Sequence, residues 1–230
     1  MPVLYVIGTP IGNLEDISLR ALRVLREVKL IAAEDTRTTR RLLTAYDIKT
    51  PLTSYHEHSR RAKLEYLLGL LEEEDVALVS EAGMPGLSDP GYELIGAAID
   101  RGITVVPIPG ASAVITALVV SGLPTDQFVY LGFLPRRKGP RQRLLSSIEA
   151  EPRTIVAFET PHRLGEALGD IEEVLGDRRI SVCCELTKLH EEIFRGRVSE
   201  ARERFSEPRG EFSLVVEGRT RAWLRSQERS

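Results

Sequence analysis

The chain has 230 residues, of which 42% are hydrophobic and 28% charged, and its formal net charge is −3. That balance excludes a disordered or fibrous chain and a globally basic nucleic-acid binder, and leaves one large globular domain or two small ones. Cys183 and Cys184 are adjacent, so a strand would point them to opposite faces; this disfavours a disulfide between them and offers no zinc spacing.

In chain order, the first predicted element is an apolar strand at 3–7, too short and without the basic start of a secretory signal. A helix over 17–29 follows, with Leu19, Leu22, Leu25 and Val28 on one face and Asp16 or Ser18 as its cap. Further strands are expected at 29–33, 76–80 and 103–107, with a weaker one near 52–55. Helices are expected at 36–46, after Asp35, and at 59–74, where Leu64, Leu67, Leu68 and Leu71 recur. Alternation of strand and helix predicts a mostly parallel sheet covered on both faces. The weakly charged stretch 103–125 contains Pro107, Pro109 and Gly110, so it reads as a strand and a buried helix rather than a membrane span.

Beyond Gly122 the pattern changes. Short runs at 127–133, 153–158, 179–184, 192–197 and 211–217, with helices at 140–150 and 162–175, predict a mixed, partly antiparallel sheet. The expected division is an N-terminal α/β domain over 1–115 and a C-terminal α/β domain over 116–230.

Four loops at the carboxyl ends of predicted strands hold the chemistry, since open α/β sheets place ligands there. Gly8-Thr-Pro-Ile-Gly-Asn13 has glycines for close backbone approach, but neither dinucleotide nor Walker spacing. Ser80-Glu-Ala-Gly-Met-Pro-Gly-Leu-Ser-Asp-Pro-Gly91 packs three glycines, two prolines and two carboxylates into a long shaped loop. There, Glu81 and Asp89 suit hydroxyl or amino donors and a cationic ligand. Pro107-Ile-Pro-Gly-Ala-Ser-Ala113 turns into a small-residue helix; Ser112 either caps that helix or, with its small neighbours, lets a flat ligand lie on bare backbone. Ala33-Glu-Asp-Thr-Arg37 sets two carboxylates beside a helix start.

Basic residues cluster locally despite the acidic total: Arg136, Arg137, Lys138, Arg141 and Arg143; Arg37, Arg40 and Arg41; and Arg60, Arg61 and Lys63. Each cluster is either a solvated face or a phosphate-binding surface. In Tyr55-His-Glu-His58, His56 and His58 would share a strand face; no third ligand stands at metal spacing, so a histidine pair or an RNA-contacting role is expected in place of a metal.

The strings LYVIGTPIGN, LIAAEDTR, VSEAGMPGLSDPGY, VVPIPGASA, GFLPR, FETPHRL, ELTKLHEE and GEFSLVVEG, in that order from residue 3 to about 218, are where a resemblance enters. Together they resemble the bacterial 16S ribosomal RNA cytidine 2′-O-methyltransferases of the tetrapyrrole-methylase superfamily. The resemblance implies a two-domain α/β fold, with a mostly parallel N-terminal sheet, a mixed C-terminal sheet and S-adenosyl-L-methionine in the crevice between them. It also implies a cytoplasmic homodimer whose partner is 16S ribosomal RNA or the small ribosomal subunit. Carried over by motif, the cofactor would contact Pro10, Glu81, Gly83, Met84, Gly110, Ser112 and Ala113, with Phe158 as a further wall.

Relatives commonly carry SDAGTP where this chain has Ser80-Glu-Ala-Gly-Met-Pro85, so Glu81 reaches one methylene further and Met84 lacks a hydroxyl. Longer relatives also continue into a small helical extension. For methyl transfer to a ribose hydroxyl, a carboxylate or imidazole would take the proton, and Asp35 and His56 are the candidates, with Glu159 and His162 in reserve. Substrate-facing residues would be Arg37, Arg40, Arg41, His58, Arg136, Arg137 and Lys138. The competing readings are a same-fold methyltransferase acting on a tetrapyrrole or a protein, and a non-enzymatic RNA-binding assembly factor.

Overall fold

The computed structural model describes residues 1–55 and 60–219. The chain divides into two compact units, Met1–Ser112 and Ala113–Ser230.

In the first unit, five strands form one sheet: β1 (Val3–Ile7), β2 (Leu30–Ala33), β3 (Leu52–Ser54), β4 (Val76–Val79) and β5 (Thr104–Ile108). Their order is β3-β2-β4-β1-β5, and every pairing is parallel. Parallel strands need crossovers, and helices supply them on both faces. On one face α1 (Leu19–Glu27) and α2 (Thr36–Ala45) bury Leu22, Leu25, Leu42 and Leu43 against Ile7, Ile31, Ala77 and Val79. On the other, α3 (Arg60–Leu70) and α4 (Tyr92–Asp100) set Leu67, Leu68, Leu94 and Ala98 against Leu4, Ala32, Val76 and Leu78. Alternate residues of each central strand therefore enter different cores, which is why these strands read as unbroken apolar runs. Ser18 caps α1 by accepting from the Ala21 amide, and Asp35 caps α2 by accepting from the Arg37 amide.

In the second unit α5 (Ala113–Val120) precedes β6 (Phe128–Phe133), α6 (Lys138–Ser147), β7 (Thr154–Glu159), α7 (Pro161–Leu175), β8 (Arg179–Cys184), β9 (Glu192–Arg197), α8 (Val198–Arg204) and β10 (Phe212–Val216). The sheet order is β6-β7-β10-β8-β9; β6 and β7 are parallel and the other pairs antiparallel. Leu164, Leu168, Ile171 and Leu175 of α7 pack with Val198 and Ala201 of α8 against Ile155, Ala157, Leu214 and Val182. Cys183 and Cys184 are both buried and free.

The mixed second sheet and the parallel first sheet are as expected, but two helices are not foreseen by the sequence pattern. One is α4, whose N-cap is Gly91 with no side-chain cap, so no start signal announces it. The other is α8, in which only Val198 and Ala201 are buried, leaving a charged heptamer without periodicity.

Candidate active site

Three of the predicted loops converge at the carboxyl edge of the first sheet. Strands β1, β4 and β5 are neighbours, so their outgoing loops are neighbours too. Thr9 and Gly83 exchange both backbone hydrogen bonds, at 2.9 and 3.1 Å, locking the first loop to the second in a single antiparallel bridge. The Gly8 amide donates to the Ile108 carbonyl at 3.0 Å, which ties the first loop to the end of β5. Buried Ser80 and Thr9 direct their hydroxyls at the Gly83 carbonyl, at 3.3 and 3.4 Å, reinforcing the same junction.

Glycine is required here for two separate reasons. Gly83 has φ +76, in the left-handed region that side chains disfavour. Gly8 and Gly110 are demanded by contact: a Cβ on Gly8 would lie 2.7 Å from Met84 Sδ and 2.8 Å from Gly110 Cα. The result is a floor of main chain with Pro10 and Met84 partly buried at its margin and Gly110 exposed. Ser112 ends the first unit, whereas Ala113 and Phe158 belong to the second, where Phe158 meets Tyr130 and Phe133 edge-on at ring-centroid distances of 5.3 and 5.5 Å.

The fourth loop joins this group through carboxylates. Glu34 Oε2 accepts from the Glu81 amide at 3.1 Å, and Thr38 Oγ1 donates to Glu81 Oε1 at 3.4 Å. Burial pushes Glu34 above the usual carboxylate range, with Glu81 and Asp35 adding repulsion. Asp89 is moved furthest: burial, with the charges of Glu34 and Glu81, pushes it up to about 7 despite a hydrogen bond from Ser80. Such a concentration of negative charge beside bare backbone favours a cationic ligand.

Asp35 has the opposite character. Its carboxylate receives the Arg37 guanidinium at 2.8 Å and the Arg37 amide at 2.7 Å, and these bonds hold it at about 2. A group so acidic is a cap and charge anchor, poorly suited to accept a proton near neutrality. His56 and His58 lie outside the described residues. In reserve, Glu159 is buried at the end of β7 and tied to Arg163 at 2.6 Å, and His162 is exposed on α7.

The basic residues separate into free and committed ones. Arg37, Arg40 and Arg41 line a groove of about 540 Å³ along α2 with Thr36, Thr44 and Ala45, and all three arginines are exposed. Arg37 is paired with Asp35; Arg40 and Arg41 have no acidic partner among the described residues. Arg136 and Arg137 are likewise exposed and unpaired among the described residues, while Lys138 lies 3.8 Å from Asp170 and 3.5 Å from Glu173. Arg141 overturns its expected place in the basic surface. It is 1% exposed, with Nε on Asp170 at 2.6 Å, Nη2 on Glu166 at 3.2 Å, and Nη1 on the Pro135 and Arg136 carbonyls. Lys63 stands over the Tyr66 ring at 5.0 Å. Among the described residues no cluster of acidic, histidine or cysteine side chains is arranged to hold a metal. None of their helices is long and apolar enough to cross a membrane.

Residues 3–202 match the tetrapyrrole (corrin/porphyrin) methylases. The chain belongs to that family. Methyltransferases of this family use S-adenosyl-L-methionine, and bare main chain beside the carboxyl groups of Glu34, Glu81 and Asp89 suits its sulfonium and ammonium charges. Among its relatives, a Halalkalibacterium halodurans protein named ribosomal RNA small subunit methyltransferase I is 51% identical over 94% of this chain and 75% of its own length. A Thermotoga maritima protein of the same name is 51% identical over 95% of this chain and its entire length. The family fold is also seen in the solved cobalt precorrin-4 methyltransferase, 16% identical, with a TM-score of 0.70 over 94% of each chain.

Proposed function

We infer that the chain methylates the 2′-hydroxyl of a cytidine ribose in 16S ribosomal RNA, using S-adenosyl-L-methionine. The observation that carries this reading is the 51% identity, over nearly the whole chain, to proteins named ribosomal RNA small subunit methyltransferase I. Arg40, Arg41, Arg136 and Arg137, exposed and without an acidic partner among the described residues, support it, because phosphate contacts dominate RNA affinity even for an acidic protein. The partner is the small ribosomal subunit or its RNA, which places the protein in the cytoplasm, and the active form is a homodimer.

When bound, the cofactor supplies a methyl group already activated on a sulfonium, so the residues have chiefly to align, exclude water and accept a proton. Pro10, Gly83, Met84, Gly110 and Ser112 form the floor of the cofactor site in the first unit. Glu81 anchors a polar group. Asp89 accepts the ribose proton: at about 7 its affinity is matched to neutral conditions, whereas that of Asp35 is not.

Mass-mapping of ribose methylation in 16S RNA, from cells with and without the protein, tests the reading. One cytidine 2′-O-methyl group should vanish and return on complementation. An unchanged ribose-methylation map would reject the activity. Calorimetric titration with the cofactor separates an enzyme from an assembly factor, which would bind none.

A further inference from the structure

Strand β6 carries an irregularity that the site described above does not use. Tyr130 pairs with Val156 and Phe133 with Phe158, so three steps along β6 match two along β7. The extra residue is a β-bulge, and Gly132 inside it has φ +67. In a regular strand residues three apart face opposite sides. Here the bulge returns Phe133 to the side of Tyr130, and both rings meet Phe158 edge-on, at 5.5 and 5.3 Å. Phe133 nevertheless remains 50% exposed. A large apolar ring has thus been re-aimed, braced from behind and left open in front.

The segment that follows is braced as well. The Leu134 amide donates to the Phe158 carbonyl at 3.3 Å, and Arg163 Nη1 donates to the Leu134 carbonyl at 3.0 Å. Buried Arg141 holds the Pro135 and Arg136 carbonyls at 3.4 and 3.3 Å while its own charge is met by Asp170 and Glu166. The backbone of 134–136 is therefore fixed, and the exposed side chains of Arg136 and Arg137 follow three and four residues after the ring.

We propose that Phe133 is a stacking platform for an unpaired base of the RNA, with Arg136 and Arg137 holding the adjoining phosphates. A base stacks on an aromatic face whatever its identity, and flanking arginines supply the backbone charge, which is how single-stranded RNA is gripped. A duplex keeps its bases stacked on one another and gains nothing from the ring. The assignment rests on the RNA methyltransferase reading but goes beyond it, since it names the strandedness of the substrate and the residue that selects it.

The test uses the full-length protein and a short unstructured RNA carrying one fluorescent purine, beside the same sequence as a duplex. Phe133→Leu, which keeps apolar bulk but loses the ring, should weaken single-strand binding about five- to a hundredfold and leave the duplex unaffected. Its salt dependence should match the wild type, because no charge is removed; Arg136→Ala with Arg137→Ala should instead flatten it. Phe133→Trp should retain affinity. Wild-type affinity in a folded Phe133→Leu protein, or lost affinity in a folded Phe133→Trp protein, would overturn the platform. So would loss of cofactor affinity in place of RNA affinity. If the wild-type protein altered no ribose in 16S RNA, the broader reading would fail; if it did so while Phe133→Leu bound RNA normally, only the platform would.

Discussion

Gly8 and Gly110 meet main chain to main chain: a Cβ on Gly110 would stand 2.6 Å from the Gly8 carbonyl oxygen. Neither partner can rotate aside, so Gly110→Ala must part the first and third loops. We expect a loss of about 1–3 kcal/mol in stability and weaker cofactor binding. Gly96→Ala is the matched control: nothing lies within 4 Å of its Cβ position on α4, so helix propensity should raise stability slightly. Urea unfolding of both variants checks the contrast, and equal stability for Gly110→Ala and wild type would refute the close contact.

Gly83 poses a conformational problem more than a steric one. Its φ is +76, and a Cβ would find only ordinary contacts, Ile11 at 3.5 Å and the Ala111 carbonyl at 3.6 Å. Gly83→Ala should cost about 1–2 kcal/mol from backbone strain and spare the fold. Gly83→Leu should also abolish cofactor binding by covering the floor, with circular dichroism unchanged. Undiminished affinity in the folded leucine variant would remove Gly83 from the site.

Asp89 should impose a pH dependence with two signs. Activity should fall as pH drops through about 7, because the proton acceptor is filled. Stability should move the other way. Since folding raises the Asp89 pKa, its contribution is full below the ordinary carboxylate pKa of 3.8 and is lost as pH rises through about 7. Asp89→Asn should therefore be nearly inactive yet melt higher than wild type above neutrality. A variant with full activity, or one that melts lower there, would contradict the assignment.

Arg141 and Asp170 form a buried pair, each under 5% exposed. Removing one partner leaves the other charge buried and unmatched. Arg141→Ala should destabilise by about 3–5 kcal/mol, while Arg141→Met with Asp170→Leu should recover most of that. Arg143→Ala, on an exposed neighbour, should change stability by less than about 0.5 kcal/mol. Chemical denaturation distinguishes them, and a mild Arg141→Ala effect would mean the pair is hydrated.

RNA affinity should depend on salt through Arg40, Arg41, Arg136 and Arg137. Replacing Arg136 and Arg137 together, or Arg40 and Arg41 together, should lower the slope of log affinity against log salt by about 0.7 for each phosphate no longer neutralised. Adding Lys138→Ala should change little, since that ammonium already faces Asp170 and Glu173. A slope unaffected by either arginine pair would leave that pair outside the RNA surface.

The sequence reveals elements best where both sides of a strand are buried. Val3–Ile7 and Val76–Val79 are unbroken apolar runs because each alternate residue enters a different core. Loop positions are legible too, since glycine and proline density marks a shaped segment, but the bond between Thr9 and Gly83 joins residues 74 apart and leaves no local trace. Arg141 is easily misread because one buried cation looks like its solvated neighbours when its acidic partner lies a helix away. Phe133 escapes notice because regular alternation would turn it inward; the glycine before it is the available sign of a bulge. Asp35 reads from sequence as cap or base, and the bonds it accepts from the Arg37 amide and guanidinium show the cap.

Strand β1 lies inside its sheet, yet it is made first. Its partners are Val76–Val79 and Thr104–Ile108, so it acquires no neighbour until the chain has grown past residue 76, and its second only beyond 104. At ordinary elongation rates that interval is roughly 5–20 s, far longer than a hairpin takes to close. During synthesis the segment Val3–Ile7 is an unpaired apolar edge, open to chaperones and to other nascent chains. Slow codons between β1 and β5 would lengthen that exposure, whereas slow codons after residue 108 would give the sheet time to close before the second unit emerges.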